Sequence, residues 1–321
     1  MSAKLLFFQS RIVQITRFLT FFAKKTLIIR IIRAFFITFV PMKLIADSGS
    51  TKTDWVLADG ADIRARLQTQ GINPFHQSED DIRSILHDIG EVMDDKCEQL
   101  SIHFYGSGVR PELEPLMERL LRETFPQASA VEAHGDLLGA ARAVCGRCEG
   151  IACILGTGAN SGLYDGQQIV RNTPPLGYVL GDEGSGAVLG RQLLNALYKG
   201  FMPSSLLTDF QLFTGMEMAD VISRVYRQPL ANRFLASLSP FIKAHLDLPE
   251  MRQMVIGCFR DFFSRNVVQY GRHDLPVGFV GSIADCYREQ LAEAAAAEGF
   301  ALGSVLKSPI DGLVAYHQSH N

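Results

Sequence analysis

Residues 42–54 combine an apolar strand, a carboxylate and a turn of small residues. Residues 44–46 are an apolar run without polar alternation, which is typical of a strand buried on both faces. Asp47 and a turn of small residues follow, and residues 51–56 predict a returning strand. Backbone N–H groups of such a turn can reach phosphate oxygens, and the carboxylate can face the accompanying Mg²⁺. An ordinary hairpin with a capping aspartate has the same pattern.

The same strand–turn–strand unit recurs about 110 residues later, which is the mark of a repeated element. Residues 150–155 predict an apolar strand that runs into the turn Gly156-Thr157-Gly158, and a third apolar strand at residues 276–280 precedes Gly281 and Ser282. We therefore predict an α/β fold with a duplicated core and a cleft between its two lobes. Ligands in such sheets gather beyond the carboxyl ends of strands.

A further carboxylate, Asp136, stands at the start of a predicted Ala- and Leu-rich helix. The helix dipole favours its ionised form there, so Asp136 is either a helix cap or a candidate general base. The chain contains neither G-x-x-x-x-G-K-[ST] nor G-x-G-x-x-G. These absences argue against a P-loop enzyme and a Rossmann dinucleotide site.

The charge of the chain is unevenly distributed. The 321 residues are 47% hydrophobic, enough for two domains, and carry a net charge of −3. Residues 1–41 hold seven basic residues and no acid, which leaves 24 basic against 34 acidic residues, a net charge of −10, in residues 42–321. An acidic body argues against a nucleic-acid partner.

Residues 1–41 have three interpretations: a membrane-surface helix, a transit-like segment, or translated sequence upstream of the true start. We favour the last, because residue 42 opens a buried strand directly. The longest uncharged stretch, residues 34–42, is far short of the roughly 20 residues that span a bilayer. We therefore expect membrane contact only through residues 1–41, and we exclude them from the fold.

The six cysteines do not form a disulfide framework in a chain of this length, which favours the reducing cytoplasm. Cys145 and Cys148 have C-x-x-C spacing without a second pair at metal-ligand distance. The oligomeric state stays open, a homodimer included.

Four motifs in order carry a family resemblance that covers about seven-eighths of the chain, from residue 42 onward. Asp47-Ser-Gly-Ser-Thr-Lys-Thr53 and Leu155-Gly-Thr-Gly-Ala-Asn-Ser161 resemble the two phosphate loops of the actin-like ATPase superfamily, and Val280-Gly-Ser-Ile-Ala284 resembles its adenosine loop. With Gly181-Asp-Glu-Gly-Ser-Gly186, the set is similar to the N-acetylglucosamine kinase family, which is grouped with BadF/BadG-type ATPases.

The resemblance implies a two-lobed, ribonuclease-H-like sugar kinase that binds ATP and Mg²⁺ and phosphorylates the 6-hydroxyl of N-acetylglucosamine or a related amino sugar. It implies lobes of residues 42–137 and 138–304, with the C-terminal helix, residues 305–321, joined to the first lobe. It makes Asp47 the metal ligand and Asp136 the catalytic base.

The resemblance also implies two sets of binding residues. Its ATP-binding positions are Ser48, Gly49, Ser50, Thr51, Lys52, Thr157, Gly158, Gly281 and Ser282. Its sugar-binding positions are Asn73, Ser107, Asp136, Ala159, Asn160, Gly177 and Asp182.

This chain departs from the family pattern in a segment that contacts the sugar in the family. The family often carries Gly-Gly-Trp-Gly where this chain has Pro174-Pro-Leu-Gly177, so an aromatic platform is missing there. Two other functions stay open: an ATPase that activates a reductase through a cysteine-bound cluster, and a non-catalytic sugar sensor. The intact Asp47, Thr157 and Asp136 argue against the sensor, because a sensor has no need of a base.

Overall fold

The computed structural model describes residues 42–49, 51–60, 62–91 and 100–318. Within these ranges the chain forms two compact units, which divide between Ala133 and His134. No helix in the described part is both long and apolar enough to cross a bilayer.

The first unit is built on a five-stranded sheet in the order β3-β2-β1-β4-β5. The central strand β1 pairs antiparallel with β2 and parallel with β4. Its residues Leu44, Ile45 and Ala46 are fully buried, as the apolar run predicts. The strands are β1 (Met42–Ser48), β2 (Lys52–Asp59), β3 (Asp62–Gln70), β4 (Leu100–Gly106) and β5 (Ala128–Gly135).

Two amphipathic helices pack on this sheet. Helix α1 (Glu79–Gly90) begins with a capping box between Ser78 and Asp81, which satisfies two backbone donors at its start. Helix α2 (Glu114–Thr124) has Pro115 in its first turn, where the missing N–H costs nothing. Both helices bury their apolar faces in the core of the first unit.

The second unit repeats the strand arrangement of the first. Strand β6 pairs antiparallel with β7 and parallel with β9, and the order is β8-β7-β6-β9-β10. The predicted α/β fold with a duplicated core is therefore confirmed. The strands are β6 (Gly150–Leu155), β7 (Ala159–Tyr164), β8 (Ile169–Thr173), β9 (Val277–Val280) and β10 (Leu302–Leu306).

Helices supply most of the rest of the second unit, and prolines stand at the starts of several of them. A π-helical turn (Phe263–Val267) and a 3₁₀ turn (Val268–Tyr270) continue the tenth helix. The helices are α3 (Asp136–Cys145), α4 (Gly177–Leu180), α5 (Gly186–Tyr198), α6 (Ser204–Thr214), α7 (Met218–Tyr226), α8 (Ala231–Ala236), α9 (Ser239–Ala244), α10 (Pro249–Phe262), α11 (Ser282–Cys286), α12 (Arg288–Ala297) and α13 (Ile310–Gln318).

The observed division differs from the predicted one at both ends. The whole of α3 belongs to the second unit, so the boundary lies four residues earlier than predicted. The C-terminal helix α13 also belongs to the second unit, where it packs on α3. The physical reason is a close approach of small residues, because a Cβ on Gly312 would lie 2.6 Å from the carbonyl oxygen of Ala143.

Candidate active site

The turn after β1 and the turn after β4 lie side by side in the first unit. Ser48 and Gly106 are register partners in the parallel pair, so both strands end at the same edge of the sheet. The Ser107 N–H donates to the Ser48 carbonyl over 2.8 Å. The sheet thus brings the predicted phosphate turn next to a predicted sugar residue.

The side chain of Ser48 is used within the fold. It is almost fully buried, its Oγ lies 2.7 Å from Thr53 Oγ1, and it accepts a hydrogen bond of 2.9 Å from the Ile72 N–H. The Ile72 carbonyl lies 3.0 Å from the same oxygen. The hydroxyl therefore anchors the loop after β3, and an ATP contact of Ser48 stays a prediction.

The rest of the turn is exposed. The Gly49 N–H donates to the Lys52 carbonyl over 3.0 Å, which closes the turn, and Gly49 and Thr51 face solvent. Lys52 forms a surface ion pair with Asp54 at 2.7 Å. Ser50 lies outside the described residues. Thr51 is exposed, and its contact with a phosphate stays a prediction.

Asn73 and Ser107 form a polar corner in the first unit. Asn73 Oδ1 accepts from the Phe75 N–H over 3.0 Å, and its side chain fills the space where a Cβ of Gly108 would stand. Gly108 also has a φ of +79°. Glycine therefore suits this position because it allows the left-handed backbone and because it leaves room for the Asn73 side chain. Ser107 Oγ is buried and has no hydrogen-bond partner among the described residues. A buried hydroxyl without a partner is costly, which makes Ser107 a candidate ligand contact.

Asp47 fits the role of a magnesium ligand. It is a half-buried residue near the end of β1, and no group of three or more His, Cys, Asp or Glu in the described part of the chain could hold a metal ion by itself. Mg²⁺ keeps several waters and commonly takes one or two carboxylates together with substrate phosphates. A strand-end carboxylate such as Asp47, with Asp54 as its register partner on β2, suits that mode of binding, and the ligand role stays a prediction.

In the second unit the turn after β6 is fixed by a neighbouring carboxylate. The Gly156 N–H donates to the Gly158 carbonyl over 3.0 Å, and Asp182 Oδ1 accepts from the Ala159 N–H over 3.2 Å. A Cβ on Gly158 would lie 3.1 Å from Asp182 Oδ2, tighter than ordinary contact. The Asp182 carboxylate therefore holds this turn directly, although Asp182 lies 23 residues after Ala159 in the sequence.

The start of α5 holds this turn from the other side, a role that our reading of the sequence missed. The Gly186 and Ala187 N–H groups donate to the carbonyls of Gly156 and Thr157 over 2.8 and 3.2 Å. Ser185 caps the helix by accepting from the Val188 N–H. The Ser-Gly pair before an apolar helix was the available signal.

The third predicted loop joins the same cluster. Gly281 has a φ of +127°, and a Cβ there would collide with the Leu155 carbonyl, so only glycine lets the two strand ends meet. Ser282 is exposed at the start of α11. The structure thus brings together one set of predicted residues in this unit: Thr157, Gly158, Ala159, Asn160, Asp182, Gly281 and Ser282.

Asp182 has an unusual backbone and an unusual carboxyl. Its φ of +53° is a left-handed conformation that is uncommon outside glycine. Burial raises the pKa of its carboxyl, the neighbouring negative charge of Glu183 adds to the rise, and the Ala159 N–H opposes both. Strain and desolvation at one residue are typical of functional sites.

Glu183 is hydrogen-bonded to a distant helix of the same unit. Its Oε2 accepts from Asn266 Nδ2 over 3.2 Å, and Asn266 is buried in the π-helical turn. Asn160 Oδ1 accepts from Asn172 Nδ2 over 2.8 Å, so this amide is also partly engaged within the fold. Gly177 is exposed, and its φ of +74° lets the chain turn into α4.

Asp136 is the first residue of α3 and does not cap it. Gly135 occupies the cap position and no side chain caps the helix. The residue is half-buried, and the loss of hydration raises the pKa of its carboxyl, while the backbone N–H groups of Leu137 and of Asp136 itself oppose the rise. Helix α3 packs on β6, which belongs to the sheet that carries the Gly156 turn. A capping role is therefore not what positions this carboxyl.

An exposed aromatic ring that our reading of the sequence missed stands beside Asn73. Phe75 is 50% exposed, and the Arg110 guanidinium lies 4.0 Å from its ring centroid. The cation–π contact fixes the ring near the polar corner of the first unit. Arg110 is distant in sequence, so the pair carries no local pattern.

Comparisons with known proteins identify the chain. Neither a protein-family model nor a curated protein sequence matches it. A solved structure from Porphyromonas gingivalis is 48% identical, with a TM-score of 0.83, and the match covers 87% of this chain and 99% of the other. The other protein bears the name "putative N-acetylglucosamine kinase". This chain belongs to the N-acetylglucosamine kinase family.

A second structure supports the fold of this N-acetylglucosamine kinase family member. It comes from Chromobacterium violaceum, bears the same name, and is 20% identical with a TM-score of 0.68, over 87% of this chain and 99% of the other. The predicted family and its carbohydrate kinase class are therefore confirmed. The roles of individual site residues stay predictions.

Proposed function

We propose that this member of the N-acetylglucosamine kinase family transfers the γ-phosphoryl group of ATP to the 6-hydroxyl of N-acetylglucosamine or a related amino sugar. The observation that carries the proposal is the 48% identity to the Porphyromonas gingivalis protein over nearly its whole length. The polar groups that the fold gathers at strand ends support it, because phosphoryl transfer requires groups of these types.

Asp136 is the proposed general base. In the reaction the sugar O6 forms a bond to the γ-phosphorus as the bond between that phosphorus and the β–γ bridging oxygen breaks. ADP leaves, and the O6 proton passes to the Asp136 carboxylate. Because burial raises its pKa, this carboxylate is a better proton acceptor than a solvated aspartate.

The two glycine turns are the proposed phosphate contacts. Thr51 in the first unit and Thr157 in the second are exposed at equivalent turns, and Gly281 and Ser282 are the proposed adenosine contacts. When bound, Mg²⁺ supplies charge neutralisation to the phosphates, with Asp47 as its protein ligand. Positioning of the phosphates provides most of the remaining rate enhancement in such reactions.

The proposed sugar contacts lie in both units. Ser107 Oγ lacks a partner that a sugar hydroxyl would supply, and Asp182 presents a carboxylate. Phe75 offers an aromatic ring of the kind that sugars stack on, and it is the proposed aromatic sugar contact of the first unit. Asn73, Ala159, Asn160 and Gly177 complete the proposed set.

A sugar panel tests the proposal. The full chain is mixed with ATP and Mg²⁺, and ADP release is measured with N-acetylglucosamine, N-acetylmannosamine, glucosamine, glucose or no sugar. We expect N-acetylglucosamine to raise ADP release most, and 6-deoxy-N-acetylglucosamine to leave it at the rate without sugar. Equal rates with and without every sugar would contradict the kinase, whereas a preference for another hexosamine would contradict only the substrate.

The reductase-activator alternative receives no support from the cysteines. Ligation of an iron–sulfur cluster requires thiolates. Burial raises the pKa of the half-buried Cys145 to about 11, so forming its thiolate costs more than for a solvated cysteine. Its C-x-x-C partner, Cys148, is exposed.

A further inference from the structure

A cavity of about 580 Å³ lies among the helices of the second unit, on surfaces that the proposed reaction does not use. Its two long walls are α5 and α7, and Leu235 of α8 lines it as well. Both α5 and α7 pack on α8, which holds them apart. The volume falls within the range of about 300–1,000 Å³ that is typical of small-molecule sites.

The two walls differ in character. The α7 wall is apolar, with residues at the i, i+3, i+4, i+7 and i+8 spacing of one helical face. The α5 wall has the same spacing but mixes apolar and polar side chains. The α7 wall consists of Met218, Val221, Ile222, Val225 and Tyr226, and the α5 wall of Arg191, Leu194, Asn195, Tyr198 and Lys199.

The residues that line the cavity include two cations and no acid. Arg191 Nη1 donates to the Tyr178 carbonyl over 2.7 Å, which fixes the guanidinium at one end, and Lys199 is exposed at the other end of the α5 wall. The carboxylates closest in sequence to the α7 wall, Glu217 and Asp220, keep their charge but are not among the lining residues. Glu217 Oε2 accepts from Gln211 Nε2, and Asp220 Oδ2 accepts from the Glu217 N–H.

Tyr198 adds a hydrogen-bond donor to the α5 wall. Its hydroxyl is buried and has no hydrogen-bond partner among the described residues. Burial raises its pKa, and the negative charges of Glu217 and Asp220 add to the rise, so the hydroxyl keeps its proton at neutral pH. A ligand oxygen that reaches it would relieve the cost of the unpaired donor.

We propose that this cavity binds a small organic anion with an apolar body. The apolar body lies against the α7 wall, and the anionic group faces Lys199 at the end of the α5 wall. Since the site uses none of the residues assigned to phosphoryl transfer, the proposal stands or falls independently of the sugar kinase function.

Two fluorescent probes separate the apolar part from the charged part. 8-Anilinonaphthalene-1-sulfonate is an aromatic anion, and N-phenyl-1-naphthylamine is the corresponding neutral body. Each is titrated into the full chain in the presence of excess ATP and N-acetylglucosamine, and Kd is read from fluorescence. We expect saturable binding of both, and tighter binding of the anion.

Variants on both walls test where the probes bind. Val225→Trp and Asn195→Trp each fill the cavity from one wall and should weaken both probes at least about tenfold, equivalent to ~1.4 kcal/mol. Lys199→Gln should weaken only the anion, by about 2- to 5-fold. Leu212→Trp, at a position that is 79% exposed on α6 and outside the lining, is the matched control and should change neither Kd.

Three results would overturn the proposal. Unchanged binding in both wall variants would place the probes elsewhere. An equal increase in the Kd of both probes in Lys199→Gln would show that Lys199 does not recognise the anionic group. Sedimentation that shows a dimer broken by Val225→Trp and Asn195→Trp, but not by Leu212→Trp, would make the walls a subunit interface instead.

Discussion

The turn after β1 and the turn after β6 occupy equivalent places in two sheets of the same strand order, but they are held differently. The first is anchored by a buried hydroxyl, because Ser48 Oγ contacts Thr53 and both backbone groups of Ile72. The second is held by backbone N–H groups from the start of α5 and by the Asp182 carboxylate.

This difference distinguishes polar groups with a structural role from those that remain candidates for function. The hydroxyls of Ser48 and Thr53 form hydrogen bonds within the first unit, and such bonds stabilise the folded state. Asp136 and Asp182 of the second unit instead hold carboxyls whose pKa is raised by burial. Groups that are kept poorly solvated at a cost to stability are the better candidates for chemistry.

The largest expected effect is on turnover and concerns Asp136. We expect Asp136→Asn to lower kcat for N-acetylglucosamine phosphorylation about 10²- to 10⁴-fold, the contribution of a general base, with little change in KM. Steady-state kinetics measure both constants. Asp261→Asn, at an exposed position on α10, is the matched control and should keep the wild-type kcat. A wild-type kcat in Asp136→Asn would exclude the proposed base.

The second effect is on folding and concerns Ser48. Ser48→Ala leaves the buried N–H and carbonyl of Ile72 without their hydroxyl partner, so the free energy of unfolding should fall by about 1–3 kcal/mol. Urea unfolding measures the change. Thr157→Ala alters the exposed side chain of the equivalent turn and should stay within about 0.5 kcal/mol of wild type. Similar decreases in the free energy of unfolding of the two variants would contradict the proposed difference between the turns.

The third effect concerns Asp182 and should appear in substrate binding. Asn tolerates the left-handed backbone at this position, so Asp182→Asn changes the charge while keeping the shape. We expect KM for the sugar to rise about tenfold, equivalent to ~1.4 kcal/mol, while KM for ATP stays near its wild-type value. Kinetics at varied sugar and at varied ATP separate the two constants. A rise in KM for ATP alone would assign Asp182 to the nucleotide.

The sheets could be predicted from the sequence because a strand buried on both faces is a continuous run of apolar residues. The apolar runs at residues 44–46 and 150–155 each predicted a strand, and both strands are observed. The turns of small residues that follow them predicted the repeated element. Ser78 likewise marked the start of α1, since a capping box needs only residues three apart. The family resemblance then supplied the residue roles that the spacing alone does not.

The arrangements that were missed depend on contacts between distant residues. The bond from the Ala159 N–H to Asp182 needs a left-handed backbone at a non-glycine residue, which no propensity indicates. The packing of Gly312 on Ala143 placed the C-terminal helix in the second unit, and such small-residue contacts have no periodic signature. The stack of Arg110 on Phe75 also joins residues that are distant in sequence.

The smallest expected effect is the pH dependence of stability at Asp136. Its folded-state pKa lies above its unfolded value, so the unfolded state ionises first as pH rises, and the folded state then bears the cost of a desolvated charge. Below the unfolded pKa, near the ordinary value of 3.8, the carboxyl is neutral in both states and the cost vanishes. Asp136→Asn is neutral at every pH, so it should be more stable than wild type at pH 7.5, with a difference that shrinks as pH falls toward 4.

Urea unfolding of both proteins across this pH range measures that difference. Asp261→Asn, which removes an exposed carboxylate, should show a difference from wild type that does not follow this course with pH. If Asp136→Asn is instead less stable than wild type at neutral pH, then the ionised carboxylate stabilises the start of α3. Asp136 would then resemble Ser48, a polar group that the fold uses for its own stability.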